Sequence, residues 1–289
     1  MSPRTATLIG LTAILMWSLL SVLTVATGTV PPFQLAAMTF AIGALIGSLT
    51  WIGRRDAVRA LRQPALAWIV GVGGLFGYNA LYFLALRYAP PAEAGLLNYL
   101  WPLLIVLFSS LLPGERLLPH HIIGALLGLA GTVLLLAGGA GGFAPARAPG
   151  LIAALVAAFV WATYSVLSRR LKSVPTDAVA GFCAATALLA ALVHGLVEKT
   201  VWPETAVQWL AVLGLGIGPV GAAFYSWDIG MKRGDIRVLG AASYATPLLS
   251  TAFLILAGFA EASANLALAA LLIAGGGLIA AKDMFARRV

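Results

Sequence analysis

Ten runs of mostly apolar residues divide this sequence, at about 5–26, 32–53, 65–86, 92–112, 120–138, 148–170, 178–198, 206–231, 237–258 and 265–284. A helix needs about 20 apolar residues to cross a bilayer. Inside lipid every backbone polar group must be satisfied, which restricts crossing segments to helices and closed barrels. Barrel strands alternate apolar and polar residues over about 10 positions; these runs are longer and do not alternate. The expected fold class is therefore an all-α integral membrane protein with ten transmembrane helices.

Composition removes the alternatives. The chain is 61% hydrophobic and 10% charged, against roughly 45–50% and 25% for soluble domains. Ten spans within 289 residues leave no room for a sizeable soluble domain. The breaks carry turn chemistry: Pro31–Pro32, Pro90–Pro91, Pro113 to Pro119, the Gly138–Gly142 stretch, Pro175, Pro203 and Gly234–Asp235. The first run follows Arg4 and lacks a small-x-small cleavage site, so a retained first helix is expected.

The net charge of +8 reads as membrane orientation. Cytoplasmic loops collect Lys and Arg. With the N-terminus inside, the breaks on one side hold only Arg87, Arg147 and Lys199; the other fifteen of the 18 Lys and Arg fall on the cytoplasmic side. The expected placement is a multi-pass protein of a bacterial-type inner membrane, both termini cytoplasmic. Cys183 lies alone in an apolar run, which excludes an internal disulfide and suits a buried thiol.

The chain also repeats itself. Met16-Trp17-Ser18-Leu19-Leu20-Ser21-Val22 matches Val160-Trp161-Ala162-Thr163-Tyr164-Ser165-Val166 at an offset of 144, as Val30-Pro31 matches Val174-Pro175. Gly95 to Leu104, containing Tyr99 and Pro102, matches Gly240 to Leu249, containing Tyr244 and Pro247, at 145. Glu115 and Glu261 pair at 146. The unit holds five helices, an odd number, so its second copy must cross the membrane in the opposite sense. Residues 1–142 and 143–289 are read as two five-helix inverted-topology repeats, an arrangement that places a substrate site near the midplane.

Two repeats, each with a Tyr-x-x-Pro-Leu-Leu helix followed by an acidic residue and a Gly-rich helix, resemble the EamA-type branch of the drug/metabolite transporter (DMT) superfamily. The aromatic-rich first, third and fourth helices are similar to its YddG-type amino-acid exporters. The resemblance implies a secondary transporter exporting aromatic and other neutral amino acids, or related small metabolites, from the cytoplasm by alternating access. The implied partners are a small-molecule substrate and the lipid bilayer, with no nucleic acid, as a monomer or homodimer.

Candidate substrate-binding residues are the aromatic and polar side chains deep in the runs: Trp17, Tyr78, Asn79, Tyr82, Asn98, Tyr99, Trp101, Trp161, Tyr164, Tyr225, Ser243 and Tyr244. Rings offer stacking area, and hydroxyls and amides can meet a carboxylate or ammonium. Trp51, Trp68, Trp202 and Trp209 lie near run ends, where an interfacial belt is the expected role. Pro102, Pro219 and Pro247 remove backbone hydrogen bonds inside runs; each is either a moving hinge or a static kink. Asp228, four residues before Lys232, is read as an interfacial pair or as a proton relay, and His194 near the outer end of its run as an interfacial histidine or a proton carrier. Glu115 and Glu261 precede the fifth and tenth helices, where negative charge suits the helix dipole. Gly43-x-x-x-Gly47, Gly73-x-x-x-Gly77 and Gly124-x-x-x-Gly128 permit close helix packing within a protomer or along a dimer seam.

No Lys or Arg lies near a run centre, which disfavours phosphate-bearing substrates; quaternary or drug-like cations could rest on aromatic faces alone. The His-Glu-x-x-His, P-loop and G-x-S-x-G motifs are lacking, and His120–His121 reads as a solvated loop. No catalytic residue, metal or cofactor is expected. An intramembrane enzyme and a passive channel are the readings from other classes.

Overall fold

The computed structural model describes residues 1–54, 56–89, 91–114, 116–136, 147–256, 258, 264–280 and 282. Glu115, Glu261 and the Gly138–Gly142 stretch lie outside the described residues. Among those described, the regular structure is entirely helical.

The helices are α1 (Pro3–Ser18), α2 (Leu20–Ala26), α3 (Pro32–Leu49), α4 (Ala65–Tyr88), α5 (Pro91–Asn98), α6 (Trp101–Ser109) and α7 (Pro119–Leu136). They continue with α8 (Ala148–Arg170), α9 (Ala178–Val197), α10 (Ala206–Ile217), α11 (Ala223–Arg233), α12 (Ile236–Ala242), α13 (Ala245–Leu256) and α14 (Ala264–Ala280). Among the described residues, six stretches are long and apolar enough to cross a membrane: Pro3–Ala26, Pro32–Leu49, Ala65–Tyr88, Ala148–Arg170, Ala178–Val197 and Ala206–Arg233.

Four of the expected spans are interrupted, each for a local reason. Ser18 Oγ donates to the Leu15 carbonyl at the α1–α2 break, a side-chain bond that bends helices. Pro102 and Pro247 lack the N–H that would continue helix across the breaks before α6 and α13. They therefore sit in the first turns of new helices, not in the middle of kinked ones. Pro219 lies in a π-helical turn, Gly218–Ala222, between α10 and α11. The second expected span also ends early: α3 stops at Leu49, and the chain turns through Gly53 at φ 79°, a left-handed angle that suits glycine.

Packing follows the small residues. In α1 and α11, Gly10 and Gly230 let the backbones meet: a Cβ on Gly230 would lie 2.7 Å from the Gly10 Cα. Helices α7 and α14 meet at Gly124, where a Cβ would lie 2.5 Å from the Gly276 carbonyl oxygen. Gly43 faces the Gly221 backbone, and Gly47 leaves room for the Tyr225 hydroxyl. The third glycine pair behaves otherwise. Gly73 faces open space, and the tight α4 contacts fall at Gly74 against Tyr164 and Gly71 against Phe182. The close approach uses Gly71 and Gly74, three apart, and not Gly73 and Gly77, because α8 and α9 select the face of α4.

His120 and His121 correct the loop reading. They stand in the first turn of α7, both buried, with ring centroids 4.1 Å apart. Pro119 starts the helix here, as a proline at the first helical position can. His121 Nδ1 accepts from the Leu118 N–H at 3.2 Å.

The N-terminal end of α12 is fixed by Asp235, whose Oδ1 accepts from the Arg237 and Val238 N–H groups at 3.1 and 3.3 Å. Burial alone would push its carboxyl up; the Arg237 guanidinium and these two N–H groups outweigh it and hold the carboxyl below its ordinary value. The ionised cap is thus favoured in the folded chain, and its stabilisation is complete above the ordinary aspartate range and lost as pH falls through the lowered value. Replacing Asp235 by Ala should cost about 1 kcal/mol at neutral pH. The gap in melting temperature between the two proteins should close in strong acid.

A second expectation tests the glycine faces. Gly124→Ala should destabilise by about 1–3 kcal/mol through overpacking, whereas Gly73→Ala should be neutral or slightly stabilising. Thermal unfolding of the two variants in detergent distinguishes them.

Candidate functional site

Four tryptophans from four helices converge at the centre of the largest buried cluster. Trp17 (α1), Trp101 (α6), Trp161 (α8) and Trp227 (α11) all contact one another, with ring centroids from 5.0 to 6.4 Å apart. Most pairs meet edge to face or tilted, the arrangement that aligns ring quadrupoles favourably. Phe224 joins Trp17 at 6.1 Å and Trp161 at 5.9 Å, and stacks on Phe40 at 5.5 Å.

Two of the indole N–H groups have fixed partners, one of them at a helix break. Trp17 Nε1 donates to the Pro219 carbonyl at 3.0 Å. That carbonyl belongs to the π-turn, where helical bonding is disturbed. Trp227 Nε1 donates to Ser165 Oγ at 3.0 Å.

One side of this cluster is polar. Tyr78 lies 5.2 Å from Trp161 and stacks on Tyr82 at 6.0 Å, as their i, i+4 spacing anticipates. Asn98 Nδ2 donates to the Tyr78 hydroxyl at 3.1 Å. Asn98 is 3% exposed, and its Oδ1 has no hydrogen-bond partner among the described residues. Tyr99 follows Asn98 in the turn between α5 and α6 and is half-buried. Tyr164 contacts Trp161 at 5.2 Å.

The remaining candidates lie elsewhere. Asn79 donates to the Leu75 carbonyl of its own helix. The Tyr225 hydroxyl donates to the Gly43 carbonyl at 3.1 Å and ties α11 to α3. Ser243 donates to the Leu239 carbonyl, while the Tyr244 hydroxyl accepts from the Leu103 N–H in the first turn of α6. Tyr244 belongs to a second buried cluster with α7 and α14. Trp202 and Trp209 stack at 6.2 Å and are exposed, whereas Trp68 is half-buried and packs on Phe182 at the margin of the core.

Both ionisable candidates have partners. Asp228 Oδ1 lies 2.7 Å from Lys232 Nζ, and its Oδ2 accepts from Thr176 Oγ1 at 2.7 Å. Lys232 also donates to the Val174 carbonyl at 2.8 Å. The pair expected at an interface is instead buried, with both side chains at most 5% exposed. The loop after α8 folds over it and contributes both Val174 and Thr176. His194 Nδ1 lies 2.9 Å from Glu198 Oε2, and its Nε2 2.9 Å from Thr200 Oγ1. The Glu198 oxygens accept from the Phe33 and Gln34 N–H groups and so cap α3 from α9.

The amino-acid sequence undervalued Trp227 and Phe224. Their signal was present: Trp227 falls 145 positions after Tyr82, and Phe224 shares its helix face. The roles of Thr176 and the Val174 carbonyl had no sequence signal, since a loop fold creates them.

The model of the EamA-like transporter family matches residues 4–137 and again 148–281. The chain belongs to the EamA-like transporter family. Among curated EamA-like relatives, the aromatic amino acid exporter YddG of Ancylobacter novellus is 59% identical over the whole of both chains. That of Escherichia coli is 28% identical over 96% of this chain and 97% of its own. A crystal structure matches over the whole of both chains with 57% identity and a TM-score of 0.94. Family membership and the apolar helices make this a multi-pass membrane protein that is a transporter, not an enzyme.

The buried ion pair yields a stability expectation. Asp228→Asn leaves Lys232 without its counter-charge and should cost about 3–5 kcal/mol. Combining it with Lys232→Met should recover most of that loss in detergent unfolding, because an unpaired buried charge is the main cost.

Proposed function

We propose that this protein exports aromatic and other neutral amino acids, or closely related small metabolites, from the cytoplasm. The observation that carries this reading is the convergence of Trp17, Trp101, Trp161 and Trp227 beside Tyr78 and Asn98. The full-length similarity to relatives named aromatic amino acid exporters supports it. The rings supply stacking area for an apolar side chain. The unpartnered Asn98 Oδ1 is an acceptor for an ammonium group, and the hydroxyls of Tyr78, Tyr82 and Tyr99 can donate to a carboxylate. The cluster residues carry no formal charge, which suits a net-neutral zwitterion. Tyr164 connects the site to the Asp228 end. Asn79, Tyr225, Ser243 and Tyr244 position helices around it.

In this reading the chain crosses a bacterial-type inner membrane ten times with both termini in the cytoplasm. Residues 1–142 and 143–289 form five-helix halves of opposite sense. The packing pattern supports the exchange of halves: α1 packs on α11 as α8 packs on α4. The halves rock about the midplane site, with Pro102, Pro219 and Pro247 marking the helix breaks that flex. Asp228 and His194 are structural partners here, given the hydrogen bonds each already makes.

Purified protein in liposomes should take up labelled phenylalanine saturably, and unlabelled phenylalanine on the opposite side should accelerate the flux. Tyr78→Ala and Tyr99→Ala should each cut flux roughly tenfold, the loss expected from removing ring contacts and a directed hydroxyl. Absence of flux under every gradient would refute export of this class. Flux that never saturates would mark a channel.

A further inference from the structure

One end of the molecule is held closed by bonds joining α8 and its following loop to α11. Trp227 Nε1 donates to Ser165 Oγ, Lys232 Nζ to the Val174 carbonyl, and Arg169 to the Met231 and Gly234 carbonyls at 3.2 and 2.7 Å. The repeat offsets carry these positions to a second set. At 144, Ser165 corresponds to Ser21 and Val174 to Val30; at 145, Trp227 corresponds to Tyr82 and Lys232 to Arg87. The second set lies at the opposite end of α8. There Ala89, two residues after Arg87, abuts Gly150, whereas Arg169 marks the Lys232 end.

In the structure the second set is apart. Helices α8 and α11 pack together, but no comparable packing joins α2 to α4. Arg87 is exposed and has no partner among the described residues. No described residue donates a hydrogen bond to the Val30 carbonyl. Ser21 is exposed and accepts from Ser250 at 2.8 Å.

We propose that Arg87, the Val30 carbonyl, Tyr82 and Ser21 form a second latch, which closes this end when the Lys232 end opens. Arg87 then donates to the Val30 carbonyl, and the Tyr82 hydroxyl to Ser21 Oγ. The proposal rests on the inverted-repeat reading above. It also explains why the structure is closed where it is. The counterparts of Asp228 and Arg169 are Phe83 and Val25. The second latch therefore lacks both the carboxylate that lets Lys232 stay buried and the extra guanidinium bonds. An arginine without a counter-charge keeps its head at the water edge, so the second latch is the weaker one. Arg87 and Ser21 are positioning residues in this scheme.

The test uses the full chain in liposomes, with Cys183→Ala removing the lone buried thiol and spin labels on cysteines replacing the exposed Thr29 and Tyr88. Pulsed distance measurements with and without phenylalanine should give a long and a short population. Arg87→Gln should reduce the short population roughly tenfold, the effect of losing one charge-assisted hydrogen bond. Arg87→Lys should restore it, because lysine serves at the corresponding Lys232. Because Arg87 is exposed, both variants should fold and elute as the parent does. A wild-type distribution in Arg87→Gln, failed rescue by Lys, or no short population in any condition would overturn the latch. A separate arm labels the Tyr88→Cys protein with a membrane-impermeant maleimide. The repeat counterpart, the exposed Arg233→Cys, is labelled in the same way, and reaction of both positions from the same side would overturn the inverted topology itself.

Discussion

Backbone groups released by a helix break inside a membrane must find partners within the protein. This requirement organises the centre of the molecule. The π-turn at Gly218–Ala222 disturbs helical bonding, and the Pro219 carbonyl is taken by Trp17 from α1. The break before α6 is served by Tyr244, whose hydroxyl accepts from Leu103. In both places a residue from one half of the chain satisfies backbone of the other half. The helix breaks are thus also where the two halves are tied together.

The tryptophan cluster depends on those bonds. Ring contacts tolerate a range of angles, from stacked Trp161 and Trp227 to perpendicular Trp17 and Trp101. Such contacts provide much stabilisation and little direction. Direction comes from the indole N–H bonds to Pro219 and Ser165 and from the Asn98–Tyr78 bond at the polar edge. A surface with adaptable faces and a few fixed polar atoms suits a ligand with a variable side chain and a constant zwitterionic end.

Much of the fold was legible in the sequence. The run at 148–170 coincides with α8, and the third run ends two residues before α4 does. The repeated Trp17 and Trp161, and the depth of Tyr78, Tyr82 and Trp101 in their runs, led to residues that do meet. The misplacements share a cause. Tyr225 and Tyr244 looked equivalent to Tyr78 by type and depth, yet they face α3 and α6 because helix rotation about its axis is set by packing. Gly73 failed against Gly74 for the same reason. His120 and His121 were hidden because their polarity suggested water, while burial in the first turn of α7 is a tertiary fact.

The sequence by itself determined that this chain is helical, lives in a membrane and has two similar halves. Those properties follow from apolar run length and residue spacing, which are local. Only the tertiary structure decided which faces meet, that Asp228 and Lys232 are buried beneath the loop carrying Val174 and Thr176, and that α8 and this loop are bonded to α11 through Trp227, Lys232 and Arg169. Those are properties of distance between segments far apart in the chain. No local pattern encodes them, because the two halves share similar spacings yet adopt different packing.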